Sequence, residues 1–218
     1  WRFENGKWKK VAKKVKPNVI YDKCSLYDRK TGKLVTEVLE KKQEVEKYFT
    51  LVNDTEFTNL FDNKLYQSVI FHQYMPDSHL VQAGETVRKS GADPIVLKGF
   101  YGSGGKKVTI SSALSVRADR KMLQQEFIHA THKGTLQDIR IVFVGEKPVY
   151  ALTRIAKKRS LYTNFHQGAR IEFLDLKKLK NVLAITKKIV VQLRPFQKKV
   201  FSLDFLIDSK KRKPLLVE

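Results

Sequence analysis

The sequence predicts an α+β protein, because amphipathic helices alternate with segments typical of antiparallel hairpins. Three pairs of apolar runs are each joined by a short turn, and two other stretches place apolar residues three and four positions apart. Of the 218 residues, 42% are hydrophobic, which suits one compact domain or two small lobes that share a core. We find no internal repeat, and the order of elements does not favour a doubly wound parallel sheet.

The N-terminal third is predicted to contain one short strand and two helices. Residues 1–16 carry seven basic side chains and one acid, which favours a solvated edge, with an anion-binding arm as the alternative. An apolar run over 18–22 is typical of a strand, and 37–49 is predicted to be helical. Asp54 then caps a single amphipathic helix that carries Lys64 and ends at a proline.

The rest of the chain alternates hairpins with one further helix. The predicted elements are a hairpin of strands 95–98 and 108–110, a hairpin of 138–144 and 148–155 after the unassigned segment 122–128, a helix over 176–193, and a closing hairpin of 200–207 and 214–218.

The charge balance predicts an anionic partner. The chain has 43 Lys and Arg against 22 Asp and Glu, a formal net charge of +21. Its single cysteine, Cys24, excludes a disulfide within the chain and fits a reducing compartment, so we expect a cytoplasmic protein. No apolar run approaches the roughly 18 residues that a membrane-spanning helix needs, so no membrane partner is expected.

The glycine-rich segment after the first hairpin strand does not match the common phosphate-binding motifs. Phe100 stands where a Walker A loop needs its first glycine, and Lys107 stands where a dinucleotide fingerprint needs its third. What remains is Lys98 at a strand end, followed by a glycine-rich tip and two lysines that can fold over a polyphosphate. A plain hairpin turn is the alternative.

The closing hairpin places two acidic side chains where they can meet. Alternate residues of 200–207 are apolar, so Asp204 leaves the core face. A register such as 207 opposite 213 places Asp204 and Glu218 on one face. Because neighbouring carboxylates repel one another unless a cation lies between them, this arrangement predicts a Mg²⁺ site. A solvated strand carboxylate is the alternative.

The middle hairpin is expected to place charges together. If 145–147 form a three-residue loop, 144 faces 148, Asp138 falls opposite Arg154, and Arg140 lies on the same side. An ordinary cross-strand ion pair explains Asp138 and Arg154 equally well. Asn164 by itself is an unremarkable loop amide.

The order of these segments resembles the ATP-grasp superfamily, particularly carboxylate-amine ligases similar to glutathione synthetase and the ribosomal S6 modification enzymes. The resemblance extends from about residue 51 to the end of the chain. The matching segments are Lys64, Lys98 with 102–105, 125–128, 138–140, Arg154, 163–168, Asp204 and Glu218.

This resemblance implies an ATP-grasp fold, in which two α+β lobes with antiparallel sheets clasp ATP. Residues 1–50 would be the remnant of a preceding substrate domain. Residues 51–128 would form a helix and the small lobe with its glycine-rich lid, and residues 129–218 the large lobe with the Mg²⁺ site.

The resemblance also implies roles for individual residues. Lys64 and Lys98 would reach phosphate oxygens, and Asp204 and Glu218 would hold Mg²⁺. The lid would comprise Gly102, Ser103, Gly104 and Gly105. The hinge that reads adenine, chiefly through its backbone, would comprise Gln125, Glu126, Phe127 and Ile128. Arg140 and Arg154 would face the reacting acyl group, with Asn164 near phosphate or substrate.

The implied activity is an ATP- and Mg²⁺-dependent ligation of a small-molecule or peptide carboxylate to an amine through an acylphosphate. Two alternatives remain open: an ATP-grasp kinase or phosphotransferase, and a basic non-enzymatic nucleic-acid-binding protein. The resemblance disfavours a nucleic-acid partner, and a homo-oligomer is left open.

Overall fold

The computed structural model describes residues 2–10, 12, 17–28, 31, 33–102, 107–132 and 134–218, and it confirms the α+β class. Among the candidate site residues, Ser103, Gly104 and Gly105 lie outside the described residues. Within the described part of the chain, every helix is too short or too polar to cross a bilayer.

The N-terminal elements are a small antiparallel ribbon and a βαβ unit. Strands β1 (Arg2–Glu4) and β2 (Lys7–Lys9) form the ribbon. Strand β3 (Val19–Tyr21) pairs in parallel with β4 (Thr50–Val52), and helix α1 (Thr36–Glu46) connects them. The helix predicted over 37–49 therefore ends three residues early, because the chain must turn back to pair with β3.

The single helix predicted after Asp54 is two helices, α2 (Thr55–Phe61) and α3 (Lys64–Ile70). Asp54 caps α2 as predicted, since its carboxylate accepts a hydrogen bond from the Phe57 amide at 2.7 Å. Helix α2 ends at Phe61, and Asn63 caps the next helix, because its side-chain oxygen accepts hydrogen bonds from the amides of the two residues after Lys64. This break places Lys64 at the start of α3.

A four-stranded antiparallel sheet follows, in the order β5 (Ser78–Val81), β10 (Met122–Gln125), β7 (Ile95–Gly99) and β8 (Val108–Ser111). Strands β6 (Thr86–Arg88) and β9 (Ser115–Arg117) pair as a separate ribbon. Val81, Leu97 and Met122 belong to the small core between these layers. The sequence predicted β7 and β8, whereas β5, β6, β9 and β10 were not predicted as strands.

The C-terminal half forms a six-stranded sheet. Its main path is β14 (Arg170–Leu174), β13 (Lys147–Ile155), β12 (Thr135–Val144), β15 (Val200–Asp208) and β16 (Lys213–Leu216), and β11 (Thr131–His132) pairs with β12. Helix α4 (Lys180–Gln192) covers one face. Phe57 and Phe71, from the region of α2 and α3, share that core with Phe143, Ile189 and Phe205. The opposite face meets the four-stranded sheet.

The hairpin of β12 and β13 confirms the predicted pairing of Asp138 with Arg154, although its turn differs from the prediction. Val144 pairs with Lys147, so the turn has two residues and not three. The register then shifts between Val142 and Phe143, which is a β-bulge. The extra residue of the bulge compensates for the shorter turn, and the two charged residues still meet.

The register predicted for the closing hairpin was wrong. Ile207 pairs with Pro214 and not with residue 213, a ladder that by itself would turn Glu218 away from Asp204. The ladder becomes irregular at this point, because Val217 N–H donates to Asp204 O at 2.8 Å while Asp204 N–H donates to Glu218 O at 2.7 Å. Val217 and Glu218 thus both oppose Asp204, and the Glu218 side chain lies on the same side of the sheet as that of Asp204.

Candidate functional site

A cavity lies between the four-stranded and six-stranded sheets, and the empty space in it is about 960 Å³ when the solvent at its open mouth is included. The predicted residues that line it are Lys64, Lys98, Gly102, Gln125, Glu126, Phe127, Ile128, Arg154, Asn164, Asp204 and Glu218. Arg140 is absent from this lining and reaches it only through its contact with Asp204.

Two lysine ammonium groups enter the cavity from different elements. Lys64, buried at the start of α3, donates to Glu218 Oε1 at 2.8 Å and to the carbonyl of Gly102 at 2.7 Å. Lys98, on β7, donates to Gln125 Oε1 at 2.6 Å and to the carbonyl of Val217 at 3.4 Å. Val217 and Glu218, which follow the closing strand β16 of the large sheet, therefore contact the two lysines in the cavity.

Burial lowers the pKa of Lys98 to about 8. The negative charge of Glu218 opposes this shift, and the positive charge of Lys64 adds to it. The negative charges of the protein near the Lys98 ammonium therefore do not offset the cost of its burial. A polyphosphate in the cavity would supply that charge and stabilise the protonated lysine.

The segment after β10 presents unused backbone groups to the cavity. The Glu126 amide donates to Asp77 O at 2.8 Å, and the carbonyl of Ile128 accepts from the Ala130 amide at 2.9 Å. Among the described residues, neither the Glu126 carbonyl nor the Ile128 amide has a hydrogen-bond partner, although Ile128 is only 4% exposed. Because buried backbone groups are nearly always paired, an acceptor and a donor two residues apart suit the polar edge of a ligand such as adenine.

Apolar side chains enclose this part of the cavity on both sides. Val96 and Ile110 line it from the small sheet, and Leu136 and Leu206 line it from the large sheet. A flat apolar slot with a polar edge is the arrangement expected for a nucleobase.

Four charged side chains form a network across β12, β13 and β15. Arg140 makes a bidentate contact with Asp204, in which Nε and Nη2 each donate a hydrogen bond at 2.7 Å. Arg154 donates to Asp138 at 2.6 and 2.9 Å and to Asp204 at 2.5 Å. Asp138 also accepts a hydrogen bond from the Thr163 hydroxyl. Bidentate pairs of this kind hold guanidinium groups in a fixed orientation.

The network keeps its arginines charged. Burial works against the charged form of Arg154, but the hydrogen bonds of Asp138 and the charge of Asp204 outweigh it and raise the pKa of Arg154. The pKa of Arg140 is raised in the same way by Asp204, also against the effect of burial. Burial raises the pKa of Asp138, and Arg154 limits that rise. The guanidinium groups of Arg140 and Arg154 therefore stay charged beside the cavity, where the carboxylates of Asp138 and Asp204 balance them.

The acidic pair fits a Mg²⁺ ion carried by phosphate. The side chain of Glu218 is 41% exposed. Within the described residues, only its Oε1 accepts a hydrogen bond, from Lys64. Asp204 Oδ1 accepts one hydrogen bond, so a lone pair remains on it. Among the described residues no group of three or more acidic, histidine or cysteine side chains is arranged for a metal. Mg²⁺ suits a site with only two protein carboxylates, since it keeps waters and phosphate oxygens as its other ligands.

Sequence reasoning singled out Lys107 and the segment that begins at Thr163, but it missed Tyr162 in the cavity. Lys107, Tyr162 and Thr163 all line it, and the Tyr162 hydroxyl lies 3.5 Å from the carbonyl of Val108 on the small sheet. A tyrosine in a loop carries no spacing signal. The position of Tyr162 depends on how the two sheets approach each other.

Residues 69–218 match the family model described as the RimK-like ATP-grasp domain. A probable alpha-L-glutamate ligase of Legionella pneumophila (strain Corby) is 33% identical over 119 residues. That match covers 50% of this chain and only 38% of the relative's length.

Solved structures with a similar fold are much more distant in sequence. The D-cycloserine synthetase DcsG superposes with a TM-score of 0.58 at 12% identity, covering 84% of this chain and 69% of the other. The D-alanine–D-alanine ligase from Bacillus anthracis gives a TM-score of 0.56 at 13% identity, covering 83% and 63%. These two likenesses establish the fold.

Proposed function

Because the chain belongs to the RimK-like ATP-grasp family, we propose that it is an ATP- and Mg²⁺-dependent ligase that joins a carboxylate to an amine. One observation carries the proposal: a single cavity brings together Lys64 and Lys98, a backbone donor and acceptor that have no partner among the described residues, and the carboxylates of Asp204 and Glu218. The four-stranded sheet is the small lobe in this proposal, and the six-stranded sheet with its helices is the large lobe. A relative named as a glutamate ligase supports the same reaction type.

ATP would lie between the sheets with its base in the apolar slot. The carbonyl of Glu126 would accept from the adenine amino group, and the amide of Ile128 would donate to a ring nitrogen. Lys64 and Lys98 would contact phosphate oxygens, for which each must exchange a present partner in the protein. Asp204 and Glu218 would hold Mg²⁺, which when bound neutralises charge on the phosphates.

The reaction needs two transfers and no nucleophilic side chain. An oxygen of the substrate carboxylate attacks the γ-phosphorus, the bond to ADP breaks, and an acylphosphate forms. The amine then attacks the acyl carbon, phosphate leaves with that oxygen, and the amine loses a proton. We assign Arg140 and Arg154 to the developing negative charge on the acyl oxygen, and Asn164 to a contact with phosphate or substrate.

Two further assignments belong to the proposal. The substrates are small-molecule or peptide carboxylates and amines. The reaction takes place in the cytoplasm, where ATP is abundant and where the exposed thiol of Cys24 stays reduced.

ADP release with mass spectrometry of the products tests this function. A panel of carboxylates and amines is offered with ATP and Mg²⁺. We expect ADP and free phosphate to appear together with an amide that is lighter by one water than its two parts. A phosphorylated product that persists in the presence of the amine would refute ligation.

A further inference from the structure

The cavity face of the six-stranded sheet continues beyond the cavity as an exposed apolar surface. We call Val142, Tyr150, Leu152, Ile171 and Phe173 the apolar platform. Tyr150 is 41% exposed, Ile171 40% and Phe173 78%. The rings of Tyr150 and Phe173 contact each other, since their centroids lie 6.0 Å apart in an edge-to-face arrangement.

Strand register shows that the platform and the charged network share one face. Arg154 pairs with Ile171, Leu152 with both Arg140 and Phe173, and Val142 with Tyr150. Directly paired residues point to the same side of a sheet, so these side chains stand beside one another. The opposite face carries the core, including Ile141, Ala151 and Leu203, and is covered by α4.

The same register places the platform beyond the phosphate end of the cavity. Leu206, in the apolar slot, pairs with Asp138, and Asp204 pairs with Arg140. Val142 comes two residues further along β12, roughly 7 Å away. A ligand that enters from the slot therefore meets the charged network first and the platform next.

Arg140 connects the two regions. Its Nε and Nη2 are taken by Asp204, whereas Nη1 has no partner among the described residues. Its side chain is 33% exposed. A free guanidinium nitrogen at the border of an apolar surface favours a molecule with a carboxylate at one end and an apolar body at the other.

From this arrangement we infer that the carboxylate substrate carries an apolar side chain, which binds on the platform while Arg140 holds its carboxylate. This inference rests on the proposed function and makes it more specific. A polar or acidic side chain at this place would lose hydration against Tyr150, Leu152 and Phe173 without gaining a hydrogen bond.

Trapping of the acylphosphate tests the inference without knowledge of the amine. Hydroxylamine converts an acylphosphate to a hydroxamate. The probes are N-acetyl derivatives of phenylalanine and leucine, compared with those of serine and glutamate. We expect kcat/KM for the apolar pair to exceed that for the polar pair by about tenfold or more.

Substitutions at the exposed edge strand connect the preference to the platform. Phe173→Ser should remove most of the preference, and Phe173→Leu should retain it. Val191→Ser is the matched control, because Val191 is also exposed but belongs to α4 on the opposite side of the sheet. It should leave the preference unchanged.

The outcomes separate the inference from the function on which it rests. If the protein does not bind a fluorescent ATP analogue, the proposed function itself fails. If it binds the analogue but activates polar carboxylates equally well, or activates none of the four, the inference is overturned. A dimer in sedimentation experiments that dissociates on Phe173→Ser would also overturn it, since a second copy would then cover the platform.

Discussion

Lys98 should make nucleotide binding depend on pH in the alkaline range. Its pKa of about 8 means that about nine tenths of the side chain is charged at pH 7 and about one tenth at pH 9. Bound phosphates favour the charged form and raise this pKa again. The Kd for an ATP analogue should therefore increase about tenfold from pH 7 to pH 9.

Fluorescence titration with an ATP analogue at half-unit steps of pH measures this dependence. Lys98→Arg should flatten the profile, because a guanidinium stays charged throughout the range. Lys187→Met, at an exposed position on α4, is the control that should keep the wild-type profile. A Kd that stays constant to pH 9 in the wild type, or an unchanged inflection in Lys98→Arg, would refute the reasoning.

The same group predicts a dependence of stability on pH. The pKa of Lys98 is lowered from 10.5 to about 8 on folding, so between these values the unfolded chain binds more protons than the folded one. The free energy of unfolding should therefore rise with pH across this window, by about 3 kcal/mol at most for a shift of this size. Urea unfolding of wild type and Lys98→Met at pH 7.5 and 10 measures the contribution, which should be missing in the variant.

Three other substitutions test separate parts of the structure. Asp204→Asn should lower the free energy of unfolding by about 3 kcal/mol, because Arg140 and Arg154 lose their shared counter-charge; a change below about 1 kcal/mol in urea unfolding would contradict a buried network. Asp54→Ala should cost about 1 kcal/mol through the lost cap of α2 while the Kd for the ATP analogue stays the same, and a weakened Kd would argue against a purely local role. Glu218→Gln should raise the Mg²⁺ concentration needed for half-maximal nucleotide binding several-fold, and an unchanged Mg²⁺ titration would remove this residue from the metal site.

The long elements were predictable because their signals are local. The alternating apolar residues of β15 placed Phe205 in the core, and Asp54 was recognised as a helix cap. The break at Asn63 was missed because the apolar spacing continues across it. Hydrophobic periodicity does not register a cap inside a helical pattern, so two short helices were read as one.

The site was predicted better than the strand registers that produce it. Asp138 meets Arg154 because a bulge offsets a shorter turn, and Glu218 reaches the cavity because the ladder becomes irregular opposite Asp204. Bulges have no reliable signal in a single sequence. The resemblance to known ligases, which includes the order of the residues, therefore grouped the residues that line the cavity more securely than counting along the strands.

The protein partners of Asp204 were not predictable from the sequence. The sequence predicted a cation between Asp204 and Glu218, but it gave no sign that two guanidinium groups contact Asp204, as they do in the structure. A strand pattern shows which face a side chain occupies but not which partners come from strands distant in sequence. The consequence is physical: Asp204 contributes to stability as well as to the proposed Mg²⁺ site.

A crystal structure with Mg²⁺ and a non-hydrolysable ATP analogue tests the central claim most directly. We expect the base between Val96 and Leu206, hydrogen-bonded to the Glu126 carbonyl and the Ile128 amide. The terminal phosphates should contact Lys64 and Lys98, with Mg²⁺ between them and the acidic pair. A nucleotide bound elsewhere on the protein, with this cavity holding only water, would contradict the account.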